Sequence, residues 1–338
     1  MKKHLVRIAL GLLVVLLFLG HAAGHYDIPI VRKLELTVYD ARLRLTMPRT
    51  GDPRIVIADI DKKGLAAEGR WPWRRDRLGL FLDRLFNEYK ARVVAFDVVF
   101  AERDKSSGLQ VLRELSEQEL HGVPAFQAAL KSLQPRLEFD RIFAEKMQGR
   151  PVVLGYFTQD PEAVACRVGQ LPEPVLPKGV FQDRNIEVTR WAGYGANLPE
   201  LQQAAAGAGH FNPWTDEDGV NRRVPMLLEY AGAYYEPLSL AVLRLLWDTP
   251  PIKPGFTNAP AWSRTYPGLE WLDVGQVRVP VDREVTALVP YRAPERSFKY
   301  IPAADILQGR ASRSDLEGKI VLVGATAPGL LDLRSTPA

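Results

Sequence analysis

The chain has 338 residues, 46% of them hydrophobic, with 44 Lys and Arg against 40 Asp and Glu. That length and apolar fraction are enough for a sizeable core. A net charge of +4 carries no argument for nucleic acid as a partner. The single Cys166 excludes an internal disulfide and a cysteine-based metal site, and the five histidines show no HExxH spacing.

Lys2, Lys3 and Arg7 precede an apolar run, Ile8 to Gly20. Basic residues hold that end in the cytoplasm. Extended through "HAAG", the run reaches the ~20 residues a spanning helix needs. The small residues of "HAAG" also suit signal-peptide cleavage. The favoured reading is a cytoplasmic tail over 1–7 and an uncleaved anchor over 8–27 in a bacterial inner membrane. Under either reading the remainder is exported to the periplasm. His21 and His25 could share a helix face, but two ligands without a third rarely hold a metal.

Residues 28–50 predict a juxtamembrane helix closed by Pro48, and 51–338 the exported domain. "RIVIADID" predicts a strand buried on both faces, as in a parallel sheet. "RDRLGLFLDRLFNEYK" repeats apolar residues at helical spacing, with Asp76 as N-cap or first-turn acid. "ARVVAFDVVF" predicts a neighbouring strand and completes a βαβ unit. Residues 101–123 are polar and expected to be partly ordered at best. Two helical pieces follow, separated by Pro135, and then a strand in "PVVLGYF". Residues 158–183 read as an irregular excursion. "GAGHFNPWTDEDGVNRRVPMLLEY" reads as strand, tight turn, strand, and "LSLAVLRLLW" as a packed helix. Residues 248–270 are again rich in proline and polar residues. "QVRVPV", "TALVPYRAP" and "KIVLVGAT" are strand candidates, and "IPAADILQG" a short helix. The expected fold is α/β: a mixed, mainly parallel sheet flanked by helices, in one domain with long irregular insertions.

No Walker loop, nucleophile elbow or dinucleotide fingerprint occurs. "DEDG" at Asp216–Gly219 fits a turn better than an ion-binding loop, since the closing ligands of a calcium loop are missing. Asp59 and Asp61 are two apart at a strand end, and Asp97 ends the next predicted strand. The C-terminal edge of a parallel sheet is where α/β proteins bind ligands. These acids could bind a cation or basic ligand; equally, they could cap helices and pair with Arg74 or Arg75. In "WPWRR", Trp71 and Trp73 fit a staple of the helix start onto the sheet, or the wall of a pocket. The first candidate pocket is therefore Asp59, Asp61, Trp71, Trp73, Arg74 and Asp97; His210, Asp218 and Arg222 form a second set.

Read in order, "YDARLRL", "IVIADID…GRWPWRRDRLGLFLDRL", "VVAFDVVFAERD", "GHFN…DEDGVNRRVPMLL", "SFKYIPAADIL" and "LEGKIVLVGATAPGLLDLRSTP" resemble the second class of CHASE domains. These are extracytoplasmic sensory domains associated with cyclases and histidine kinases. The resemblance spans about Tyr39 to Pro337. It implies a sensor without catalytic residues or cofactor, followed beyond Ala338 by membrane helices and a cytoplasmic output module. That module would be a nucleotide cyclase, a histidine kinase or a diguanylate cyclase. It also implies a homodimer that responds to a small ligand or an envelope protein. A periplasmic scaffold and an exported hydrolase are the rival readings.

Overall fold

The computed structural model describes residues 2–23, 25–159, 166–182, 184, 186–256, 268–292, 297–327 and 335–337. The apolar run forms helix α1 (Lys2–Ala22), long and apolar enough to cross a membrane, with none of it buried against the domain. Helix α2 (Pro29–Thr46) begins at a proline, whose missing N–H costs nothing in a first turn.

Strand β1 (Ile55–Ile60), helix α3 (Lys62–Glu68), helix α4 (Arg75–Asp83) and strand β2 (Val93–Phe96) follow. Arg74 is the N-cap residue of α4, so Asp76 is its first-turn acid. The polar stretch 101–123 contains an amphipathic helix, α5 (Leu109–Glu117), which anchors through Leu109. Helix α6 (Pro124–Leu137) includes Pro135, and the break before α7 (Phe139–Met147) falls at Glu138. Pro135 lies in the last turn, where a missing N–H removes one bond instead of splitting the helix.

Strand β3 (Val152–Gln159) leads to β4 (Arg167–Val168), β5 (Arg190–Trp191), β6 (Gly193–Gly195), α8 (Pro199–Ala204) and β7 (Gly207–His210). Next come β8 (Arg223–Pro225), β9 (Leu228–Tyr230), β10 (Ala233–Tyr235), α9 (Leu238–Leu246), β11 (Ile252–Phe256) and β12 (Leu269–Val274). The described chain continues through β13 (Val277–Pro280), β14 (Thr286–Leu288), β15 (Lys299–Pro302), α10 (Ala303–Leu307), α11 (Arg313–Leu316) and β16 (Ile320–Ala325).

The central sheet is mixed and mainly parallel. Strands β15, β1, β16, β2, β3 and β7 run parallel in that order, and β6 adds to β3 antiparallel. The expectation that β2 lies beside β1 is therefore corrected. β16 is inserted between them, with Val56 opposite Val321 on one side and Val94 opposite Val321 on the other. Strand order is set by pairing across about 260 residues of chain, which no local pattern records.

The two faces of the sheet differ. On one, Val56, Ala58, Ile60, Phe96 and Leu154 join the main core under α4, α7 and α10. Phe96, Phe100 and Phe143 meet edge to face there, at 5.4–5.9 Å between ring centroids. Each such ring contributes roughly 1.5–3 kcal/mol by burial. On the other face, α9 packs Ala241 and Val242 onto Val93, Ala95 and Val153. Over β1 and β16 that face is only half covered: Ile55, Ile57, Ile320 and Leu322 remain partly exposed. The prediction of a β1 strand buried on both faces is corrected accordingly.

A second apolar core, with Leu176, Tyr234, Leu272 and Val274, holds three small sheets, two of them antiparallel and the third mixed, since β5 runs parallel to β9 and β10 antiparallel to it. One of their strands, β11, lies in the proline-rich stretch 248–270 that showed no strand pattern, and its partner β12 begins at the end of that stretch. Pro254 is tolerated in β11 because, among the described strands, β11 pairs only with β12, as an edge strand. The predicted turn at Asp216–Gly219 is present, with Gly219 at φ 81° and its N–H donating to the Asp216 carbonyl. Its flanking strands do not pair with each other: β7 joins β3 and β8 joins β14.

Candidate functional site

The inward arc of α2 carries Leu36, Tyr39, Asp40 and Leu43, at spacings of three, one and three. An acid in the middle of an amphipathic helix's inner arc needs a counter-ion. Arg222, immediately before β8 and 1% exposed, supplies it. Its Nε and Nη2 donate to the two carboxylate oxygens of Asp40 at 2.7 and 2.8 Å. Nη1 donates to Asp216 and Asp218 at 2.9 Å each, and Nη2 to Asp218 at 2.7 Å. A guanidinium has five N–H donors, and these five bonds account for all of them.

The surroundings are acid-rich. Arg223 pairs with Asp282 and lies 3.8 Å from Asp216. Arg222 holds the Asp218 carboxyl below the usual carboxylate range. Burial, with the neighbouring Asp40, raises the Tyr39 hydroxyl above its ordinary value. The clasp loop is itself anchored. Asn221 accepts from the Thr215 hydroxyl at 2.7 Å, and the Tyr291 hydroxyl donates to the Asn221 carbonyl at 2.6 Å. The segment Ser335–Pro337 runs alongside. The Asn221 N–H donates to the Ser335 carbonyl, and Arg44 on α2 donates to the Pro337 carbonyl, each at 2.8 Å. Helix α2, the turn 216–222 and the segment after β16 are thus bonded into one knot.

The central sheet separates the residues of the first predicted pocket. Asp61 caps α3, accepting from the Gly64 N–H at 2.7 Å. Trp73 is buried, with its indole N–H on the Gly69 carbonyl at 3.1 Å and its ring edge to face with Trp71. Both rings pack into the main core, so they staple α3 and α4 to the sheet. Arg74 lies outside, paired with Asp76 at 2.8 Å and over the Phe139 ring at 4.5 Å. Arg75 stacks on Phe100 and lies 3.6 Å from Asp140. Neither arginine meets the strand-end acids.

Asp59 and Asp97 belong to the half-open face, where they flank Gly324 of β16. Asp59 is opposite Gly324 and accepts from the Thr326 hydroxyl at 2.7 Å; the Asp97 N–H donates to the Val323 carbonyl at 2.9 Å. Of the second set, Asp218 and Arg222 meet in the clasp. His210 does not join them. It is fully buried opposite Tyr156, with its ring 6.4 Å from the tyrosine ring. Neither ring nitrogen has a hydrogen-bond partner among the described residues, and burial lowers its pKa to about 3. Sequence reasoning passed over Asp40. Its position on the inner arc of α2 was the available signal.

The half-open face is the floor of a cavity of about 710 Å³ between α9, β1, β2 and β16. Asp97, Asn221, Arg223 and Tyr291 are among the residues at its border.

These features define an α/β domain whose N-terminal helix α2 is locked to it by a buried arginine. The family is specific: the CHASE2 domain matches residues 9–338, and the chain belongs to this family of extracytoplasmic sensory domains. The family is sensory, not catalytic. Neither the curated proteins nor the solved structures provide a match.

Proposed function

We propose that this chain is the input domain of a bacterial signalling protein, anchored in the inner membrane by residues 8–27, with 51–338 in the periplasm. A ligand or envelope signal shifts the packing of the domain against α2, and the flanking helices carry that shift to a cytoplasmic output module. A nucleotide cyclase is the preferred output, ahead of a histidine kinase or diguanylate cyclase. The observation that carries the reading is the Arg222 clasp. It is the buried ionic link between the domain and the helix leading to the membrane, and it also borders the segment leaving the domain. A group with discrete bonds to both elements can favour one of two arrangements.

The same helix supports a homodimer. On its outer side Leu34, Val38, Ala41 and Leu45 are exposed at spacings of four, three and four. That is the a/d repeat of a two-stranded coiled coil. An anchor immediately before α2 presents two copies in one membrane with the same orientation, which raises their effective concentration.

The test is the basal output of the full-length protein in cells, read as cyclic nucleotide or phosphoryl transfer. Asp40→Asn and Arg222→Met are expected to change it at unchanged protein level. Output equal to wild type in both variants overturns the proposal.

A further inference from the structure

Parallel sheets almost always have both faces covered, yet Ile55, Ile57, Ile320 and Leu322 form a partly exposed apolar floor in the middle of this one. Leu243 and Leu246 of α9 form the adjoining wall. The volume of this open cleft, about 710 Å³, falls within the ~300–1,000 Å³ of small-molecule sites. Gly324 continues the floor, and among the described residues no atom lies within 4 Å of where its Cβ would sit. Among the described residues this floor and wall are aliphatic, and the charged side chains Asp97 and Arg223 stand only at the border, which is not the cradle a phosphate or a metal needs.

Polar groups gather at the border. The amide of Asn212 is used on both sides by the Thr158 backbone, at 2.8 Å each. The Tyr291 hydroxyl donates to Asn221 and keeps its acceptor lone pairs. Asp97 and Arg223 bring opposite charges to the same border, so neither a cationic nor an anionic head is favoured.

We infer that the open face of the central sheet binds a single-chain aliphatic molecule with an uncharged polar end, its chain on Ile57 and Leu322 and its polar end toward Asn221 and Tyr291. The inference deepens the sensor reading and rests on it for its consequence. Asn221 and Arg223 border the cavity and flank Arg222 in the chain, so an occupant touches the loop that grips α2. Binding here and the grip on Asp40 are then coupled, and each changes the other by the same factor.

The test uses the full chain in lipid nanodiscs with 1-decanol carrying a diazirine on its chain, and cross-links mapped by peptide mass spectrometry. Labelling is expected on the peptides spanning 238–246 and 320–324, competed by unlabelled 1-decanol. Gly324→Leu, which projects into the open space, is expected to reduce it at least tenfold. Ile57→Phe serves the same purpose from the neighbouring strand should the first variant misfold. Label on α1 reports probe dissolved in the lipid and is the internal reference. Labelling confined to α1, or labelling of α9 and β16 unchanged in a folded cavity-filling variant, overturns the inference. The two readings fail separately. An unlabelled cavity with output still controlled by Asp40 and Arg222 removes the ligand site alone. A labelled cavity with output indifferent to the clasp supports the site and removes the signalling role.

Discussion

Replacing Arg222 by methionine keeps most of the side-chain volume and removes five charge-assisted bonds. Asp216 and Asp40 then remain with side chains only 8% and 16% exposed. Arg223, 3.8 Å from Asp216 and already paired with Asp282, offers little compensation. Removing one partner of a buried ionic network costs about 3–5 kcal/mol, so Arg222→Met is expected to lose that much at pH 7. Asp40→Asn keeps one acceptor for the guanidinium and should cost less, about 1–2 kcal/mol. Because the two residues share their bonds, the double variant should fall short of additivity by about 1–3 kcal/mol. The assay is urea denaturation of the full chain in detergent, followed by tryptophan fluorescence. The penalty also depends on pH in a determined direction. The folded Asp218 carboxyl lies below its ordinary 3.8 because Arg222 bonds it. Its contribution is present above that value and disappears as pH falls through the lower folded value. The cost of Arg222→Met should therefore shrink in acid. A loss under about 1 kcal/mol, or single effects that add, would refute a clasp of this strength.

The buried His210 makes a second pH prediction. With its folded pKa near 3 and an ordinary value of 6.5, it opposes folding increasingly as pH drops below 6.5. The loss reaches about 2 kcal/mol at pH 5; His210→Phe should flatten the fall in melting temperature between pH 7 and 5, and an identical fall in both proteins contradicts the assignment. Glu236 acts in the opposite direction. Burial raises its pKa to about 7 against the pull of Arg244, so stability should decline as pH rises from about 5 to 8, and Glu236→Gln should remove that decline. Trp73→Ala should cost about 3–5 kcal/mol as a core truncation, and Asp61→Ala about 1 kcal/mol as a lost helix cap; a Trp73 variant of wild-type stability would argue against the staple. Val38→Cys should form a disulfide-linked dimer under mild oxidation, whereas Thr37→Cys, one position round the helix, should cross-link far less; equal yields would exclude an α2 seam.

Much of the fold is legible locally because the forces that set it are local. Lys2, Lys3 and Arg7 before a long apolar run define a membrane-length helix by composition. The spacing of Leu78, Phe81, Leu82 and Leu85 makes a helix wherever it lands. The residues of "WPWRR" have too much apolar surface to leave in water, and the turn at Asp216–Gly219 follows from backbone freedom at Gly219. Pro254 hid β11 because an edge strand tolerates what an inner strand forbids, and only the sheet order shows which strand is at the edge.

What the tertiary structure alone decided depends on partners far apart in the chain. Nothing around Ile320 announces that β16 belongs between β1 and β2, because strand order follows from pairing and packing summed over the whole sheet. That insertion places Gly324 between Asp59 and Asp97. The half-open face of the sheet parts these two acids from Asp61, Trp71 and Trp73, which cap and pack on the covered side. The sequence by itself shows a basic Arg222 beside acids, but not which acid it serves. The meeting of Arg222 with Asp40, 182 residues away, exists only when α2 lies against the domain. A buried charge must find its counter-ion in three dimensions, and the residues between them leave no record of that choice.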